Sequence, residues 1–346
     1  MLRTLRRRPH QPWARRRAVL LAIVTCLAAG GARRAAAQEG PRAATSAIDV
    51  VQVTPDVYLI AGAGGNITVQ IGEDGVVVVD TGAAERAQQV LAEIRKLTDR
   101  PIKYIINTSA DPDHVGGNEA LSAAGEPIIP TGGLNDIGAF GGRAMILAEE
   151  NVAARMSASH GRESAPPQGG WPTNTYSSAL KELQKDMYLN RQAVQTMYQP
   201  AAHSDGDSIV FFRKSDVIAT GDVFDFTRFP VINLDQGGSV QGVIAALNRI
   251  IGLTVPPTPM TWIPGGTAVI PGHGRIAHEA DVVDYRDMVT IVRDRVQDMI
   301  DKKMTIEQIR RANPTQGYRA RYGSDSGPWT TDQFVDAVYR SLTATR

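Results

Sequence analysis

The sequence predicts an α/β fold, and three observations carry that prediction. Short β-branched runs alternate with segments of helical periodicity, in two halves of the chain. Val76–Asp80 is a continuous apolar run and Ile102–Asn107 is a second buried strand, as expected for strands covered on both faces. The polar residues capable of chemistry fall in loops next to strands, where open α/β architectures place their ligands.

The elements follow in order. Val50–Val53, Val57–Ile60 and Ile67–Ile71 read as short strands separated by Pro, Gly and Asn, and Asp74-Gly75 reads as a hairpin turn. A helix is predicted over Ala83–Leu97, with Val90, Leu91, Ile94 and Leu97 on one face. Another is predicted over Arg143–Ser159. Residues 160–178 are rich in Gly, Pro and Ser without periodicity, which predicts a loop or lid. Trp171, Pro172 and Tyr176 either cover a pocket there or pack against the body. Strands return at Met187–Leu189, Ala193–Tyr198, Ile209–Phe212 and Val217–Thr220. Then come a helix at Val240–Leu253, a strand at Ala268–Ile270, and helices at Glu279–Asp301, Ile306–Ala312 and Asp332–Leu342. This places one domain at 48–302, interrupted by an insertion at about 131–185, with a helical extension at 303–346.

Composition narrows the class. Hydrophobic residues are 42% and charged residues 21% of 346, which excludes a mostly disordered chain. The net charge of +1 conceals an asymmetry. Residues 1–37 carry nine arginines and no acid, an apolar run from Ala18 to Ala29, and Ala35-Ala36-Ala37 before Gln38. The run is too short to span a bilayer, and the layout is that of a secretory signal peptide. Arg16-Arg17-Ala18-Val19-Leu20 also resembles a twin-arginine signal. Export to the periplasm or medium is therefore expected, with cleavage before Gln38, a flexible leader at 38–47 and no stable membrane anchor. The chain after Ala37 keeps 28 basic against 36 acidic side chains, a net charge of −8. That acidity argues against a nucleic-acid partner and leaves a small-molecule substrate. The one cysteine, Cys26, lies in the signal, so a disulfide framework and a thiolate metal site are both excluded downstream.

Five histidines follow the signal, and three of them occupy Gly- or Asp-rich loops beside strands. They are His114 in Asp-Pro-Asp-His-Val-Gly-Gly-Asn, His203 in Ala-Ala-His-Ser-Asp-Gly-Asp, and His273 in Pro-Gly-His-Gly. Asp222 follows a strand in Thr-Gly-Asp-Val-Phe. Imidazole and carboxylate suit zinc and similar divalent ions when thiolate is absent. His160 and His278 read as surface residues, Asp205 and Asp207 as turn residues, and Met288, Val289 and Val292 as helix core.

Asp113-His114 with Gly116-Gly117-Asn118, then His203, Asp222 and His273, resembles the metallo-β-lactamase superfamily of metal-dependent hydrolases. Val77-Val78-Val79-Asp80-Thr81-Gly82 and Gly64-Gly65-Asn66 match it too, and the resemblance spans about residues 50–280. It implies a four-layer αβ/βα sandwich of two similar halves, with metal at the strand ends between them. Carried over residue by residue, one metal site is complete: Asp113, His114, Asp222 and His273. The other is altered. Its two early histidines are Ser109 and Asp111 here, leaving His203 and bridging Asp222. Asp111 is able to bind a metal, as a carboxylate does at that place in the flavodiiron branch; Ser109 is a poor ligand unless deprotonated.

Three outcomes are open: one metal in the complete site, a harder ion such as iron or manganese in the altered one, or two metals with water filling the gaps. The resemblance implies zinc in one or two sites and a hydroxide generated on the ion at neutral pH. Asp113 is the residue to ligate, orient the nucleophile and shuttle its proton. The segment from His203 to Phe224 looks more like the β-lactamase-like branch than glyoxalase II. The implied substrates are amides, lactams, lactones or other esters, with Arg275 and Arg228 as candidates for an anionic substrate group. The rival expectation is a degenerate site that binds metal or ligand without turnover.

Overall fold

A computed structural model describes residues 47–128, 142–158, 167–177, 184–257 and 265–344. The predicted export signal at 1–37, residues 38–46 of the predicted leader, and His160 lie outside the described residues. A seven-stranded sheet opens with β1 (Asp49–Gln52), β2 (Val57–Ala61), β3 (Ile67–Gly72) and β4 (Gly75–Val79), an antiparallel meander. It continues in parallel through β5 (Ile102–Ile106), β6 (Met145–Glu149) and β7 (Asn174–Tyr176). The crossovers run through α1 (Ala87–Leu97), then α2 (Pro112–Val115) and α3 (Asn118–Ala123), then α4 (Glu150–Ser157). Every residue of β4 is buried, as its unbroken apolar run requires.

The second sheet has five strands: β8 (Gln184–Leu189), β9 (Gln192–Gln199), β10 (Asp207–Phe212), β11 (Val217–Ala219) and β12 (Ala268–Ile270). Only β11 and β12 pair in parallel, joined by α5 (Val240–Leu253). Then come α6 (Glu279–Asp301), α7 (Ile306–Ala312), α8 (Arg319–Tyr322) and α9 (Thr331–Thr343). Helix starts follow side-chain chemistry: Ser239 accepts from Gly242 N–H at 2.9 Å, and Asp281 accepts from His278 N–H at 3.1 Å. His278 is thus the residue that opens α6.

Three cores make four layers. Val90, Leu91 and Ile94 of α1 cover one face of the first sheet against Val76, Val78 and Ile105. Val77, Val79, Tyr104 and Ile106 of that sheet meet Val194, Val210, Phe212 and Val217 of the second. The outer face of the second sheet, with Ile209, Phe211 and Ile218, is covered by α5, α6 and α9. Met288, Val289 and Val292 are fully buried there, as predicted. The αβ/βα sandwich implied by the resemblance is the observed fold.

One segment departs from the sequence reading. Arg143–Ser159 is not one helix: Met145–Glu149 is β6, and the helix begins only at Glu150. Ile146, Leu147 and Ala148 are buried on both faces, so their apolar run carries no periodicity to tell strand from helix. Glu149 ends the strand and caps α4, its Oε2 accepting from Asn151 N–H at 2.6 Å. The stretch read as a loop contains β7, whose Tyr176 hydroxyl bonds Ser208 Oγ at 2.5 Å across to the second sheet. Trp171 packs with Val115, Ala148, Val152 and Met156. Two strands of the first sheet therefore come from the stretch read as an insertion.

The end of the sandwich away from the strand C-termini of β4, β5, β11 and β12 is joined by a polar network. Asn190 Nδ2 donates to Gln70 Oε1 at 2.6 Å and to Gly75 O at 3.0 Å. Asp56 Oδ2 accepts from Ser215 Oγ at 2.7 Å and Gln192 Nε2 at 3.1 Å. Asp74 sits in the predicted hairpin turn and accepts from Asn190 N–H at 2.7 Å.

Candidate metal centre

Loops from both halves converge at the opposite end. Asp80 follows β4 in the left-handed backbone region, φ 61°. It is 2% exposed, and its carboxylate accepts from Thr108 N–H at 2.8 Å and Thr108 Oγ1 at 2.6 Å. Its Oδ2 also lies 2.8 Å from His114 Nδ1. That contact fixes the ring so that Nε2 points into the centre. Asp111 takes the N-cap position of α2 and Pro112 opens the helix with a preset φ, which places Asp113 and His114 in its single turn. Thr81 Oγ1 and Asn107 Nδ2 both donate to Asn118 Oδ1, at 2.9 and 3.1 Å, bracing the loop from behind.

The hairpin loop between β2 and β3 closes over His114. A Cβ on Gly65 would lie 2.6 Å from His114 Cε1, so only glycine allows this approach. Asn66 Nδ2 donates to Pro271 O and Gly274 O, both at 2.9 Å, tying the hairpin to the loop after β12. That loop carries His273. Its Gly272 faces Asp222, where a Cβ would lie 2.3 Å from Oδ1.

The structure brings together every histidine and aspartate predicted for the site. Asp113, His114 and His273 form one group of donors, all within 4.8 Å of one another; Asp111, His203 and Asp222 form another. In the first group His273 Nε2 is 3.3 Å from Asp113 Oδ2 and 3.4 Å from Asp222 Oδ1. His114 Nε2 is 3.2 Å from Asp222 Oδ1. His273 Nε2 is buried and makes no hydrogen bond. In the second group His203 Nε2 lies 2.7 Å from Asp111 Oδ2, and Nδ1 lies 2.9 Å from Val231 O. Ser109 is buried, and its Oγ accepts from Asp111 N–H at 3.2 Å.

Electrostatics follow from this packing. The close approach of the His273 imidazole is the main reason the Asp113 carboxyl titrates below its usual range. Burial opposes charge on His114, yet the Asp222 and Asp80 carboxylates outweigh it and raise its pKa well above the ordinary value. Burial likewise opposes charge on His203, but the Asp111 hydrogen bond raises it to about 10. Burial opposes charge on Asp222 too; the neighbouring His114 overrides it and lowers the pKa. Asp207 is pushed up to about 6 by burial, and its carboxylate accepts from Ser204 N–H and Oγ, both at 2.7 Å.

The two candidate arginines are held by other carboxylates. Arg228 bonds Asp225. Arg275 bonds Asp281 at 2.8 Å and lies 4.2 Å from the Phe226 ring centre. Arg321 of α8 lies over the same ring. An open cavity of about 550 Å³ runs from His273 along Arg275, Ile276, Leu59 and Val51. Sequence reasoning missed Asp80 as the support of His114; the signal was an acid ending an apolar strand. It also missed Asp225, which accepts from Thr227 N–H at 2.8 Å and shapes the turn after Asp222.

A family model described as the metallo-beta-lactamase superfamily matches residues 61–259. A 49-residue segment, 14% of this chain and 9% of the relative, is 46% identical to a linear primary-alkylsulfatase of Pseudomonas sp.. The match thus spans under a tenth of that relative's length. Among solved structures, the stereoselective inverting sec-alkylsulfatase Pisa1 from Pseudomonas sp. aligns with a TM-score of 0.60 at 14% identity, over 85% of this chain and 50% of that one. A metallo-beta-lactamase from Pontibacter korlensis aligns with a TM-score of 0.51 at 15% identity, over 70% of this chain and 99% of that one. The chain belongs to the metallo-β-lactamase superfamily.

Proposed function

We propose that this protein is an exported metal-dependent hydrolase of small ester substrates, with alkyl sulfate esters the first class to test. The observation that carries the metal reading is His273 Nε2, buried without a hydrogen bond between two carboxylate oxygens. Ligand bonds of about 2.0–2.1 Å in a tetrahedron put neighbouring donors about 3.3–3.4 Å apart. The 3.2, 3.3 and 3.4 Å separations among His114, Asp113, His273 and Asp222 fit that spacing. They are longer than charge-assisted hydrogen bonds, which lie near 2.7–2.9 Å. The four side chains would hold zinc, with iron or manganese as alternatives. A divalent ion supplies Lewis-acid polarisation there and brings the pKa of water toward neutrality.

The chain's own residues do the rest. Asp113, ionised and the most exposed of the four, accepts the nucleophile's proton at its carboxylate. Asp80 holds His114 in one tautomer. The cavity beside His273 receives the alkyl part of the substrate along Leu59, Val51 and Ile276. The alkylsulfatase relatives are the support for sulfate esters; lactams and lactones would instead be attacked at a carbonyl carbon. The arginine-rich N-terminus supports export.

The test is metal analysis of the purified chain, followed by turnover of a medium-chain alkyl sulfate, a lactone and a chromogenic cephalosporin. Metal-dependent release of one alcohol or acid is expected. A metal-loaded protein that turns over none of the three would leave the rival reading, binding without catalysis.

A further inference from the structure

We infer that the centre holds one ion, and that Asp111 and His203 form a closed pair that replaces the second. The inference rests on the metal reading above. It starts from a contrast of distances within one site. Around His273 the donors stand 3.2–3.4 Å apart, spaced for something between them. At His203 the spacing collapses: Nε2 touches Asp111 Oδ2 at 2.7 Å, within the range of a direct charge-assisted hydrogen bond.

The collapse has a steric and a chemical origin. Asp111 is the N-cap of α2, and its carboxylate reaches forward to His203 from that fixed point. The other ring nitrogen of His203 faces Val231 O at 2.9 Å. Both ring nitrogens are therefore engaged by oxygen atoms of the chain, and Nε2 is turned to Asp111. Ser109 adds nothing in compensation, since its hydroxyl oxygen is engaged by the Asp111 backbone N–H at 3.2 Å. Asp222 remains shared, but its Oδ1 lies toward His114 and His273. A second ion would have to break the Asp111–His203 bond to use either partner, and beyond those two and the shared Asp222 it would find only the weak alcohol of Ser109. His203 and Asp111 act as a positioning pair that braces α2 against the loop after β9, and neither binds metal.

Metal stoichiometry reads this directly. The full chain, loaded with excess zinc and freed of loose ion by gel filtration, is expected to retain one zinc per chain. His203→Ala and Asp111→Asn are expected to retain one as well, while His273→Ala falls to a small fraction. Ser109→His plus Asp111→His is expected to bring the number to two. Circular dichroism melts confirm that each variant is folded. Cobalt substitution adds a second readout: one saturating equivalent, with the intense visible bands of a four-coordinate ion. Two ions in the wild-type chain would overturn the inference and leave the proposed function standing. Loss of the single ion in folded His203→Ala would overturn it too. No retained ion under zinc, iron or manganese would remove the metal reading and this inference together.

Discussion

Asp80 adopts a left-handed backbone at φ 61° while its carboxylate takes contacts from Thr108 and His114. Outside glycine that backbone region is tolerated best by Asp and Asn, so the residue type answers both the turn and the charge. Asp80→Asn keeps the backbone preference and removes the carboxylate. Metal affinity, measured by chelator competition, is expected to fall about 10–100-fold; an unchanged affinity would show that His114 needs no such support. His203 makes a second prediction. Its folded pKa of about 10 lies above its ordinary 6.5 because the Asp111 bond outweighs burial. The stabilisation is therefore complete below about pH 6.5 and is lost as pH rises toward 10. In metal-stripped protein, denaturation free energy should drop across that window by on the order of a few kcal/mol. His203→Gln should flatten the drop relative to wild type. His114, His203, Asp222 and His273 were legible from sequence because each stands in a Gly- or Asp-rich turn beside a strand. Asp80 stood in the matched motif, but its role as the support of His114 was not legible, because an acid closing an apolar run looks like ordinary strand termination. The Asp111–His203 contact was beyond reach, since 92 residues separate the partners.

Elements show the same division. β4 and α5 declared themselves, one by an unbroken valine run and the other by helical periodicity, and the structure adds the serine cap of α5. β6 and β7 did not, because a short buried parallel strand lacks alternation and Gly-Pro context reads as loop. The β2–β3 hairpin loop is where element packing governs the site. Gly65→Ala pushes a methyl to within 2.6 Å of the His114 ring, so the ring or the hairpin has to shift. Retained metal after gel filtration is expected to fall at least several-fold, with a lower melting temperature. Gly252, in α5, faces open space: beyond its own helix, no atom lies within 4 Å of where an added methyl would sit. Gly252→Ala should leave metal content alone and stabilise the fold by up to about 1 kcal/mol, since alanine favours helix. Equal effects of the two substitutions would contradict the packing assigned to the hairpin.

At the scale of the whole molecule, the helical extension and the sandwich share one core. Phe334 stacks on Phe229 with ring centres 4.7 Å apart, and Ile309, Val335 and Val338 are buried with residues of α5, α6 and β10. A boundary at 302 divides that core, although the sequence placed it where the longest helix ends. Truncation after Asp301 should expose the second sheet's outer helices and yield aggregated or dye-binding protein; a cooperative melt at the wild-type temperature would refute shared folding. The polar network of Asp56, Gln70, Asn190, Gln192 and Ser215 has a mechanical consequence. It pins the two sheets at one end, so any splaying pivots there and has its longest lever arm at the other. The side chains at that far end come in equal numbers from each leaf: Asp113 and His114 from one, Asp222 and His273 from the other. Spreading the leaves and parting the donors are therefore the same displacement. A cation held by the four donors would act as a latch, and its release rate should track how readily the leaves breathe.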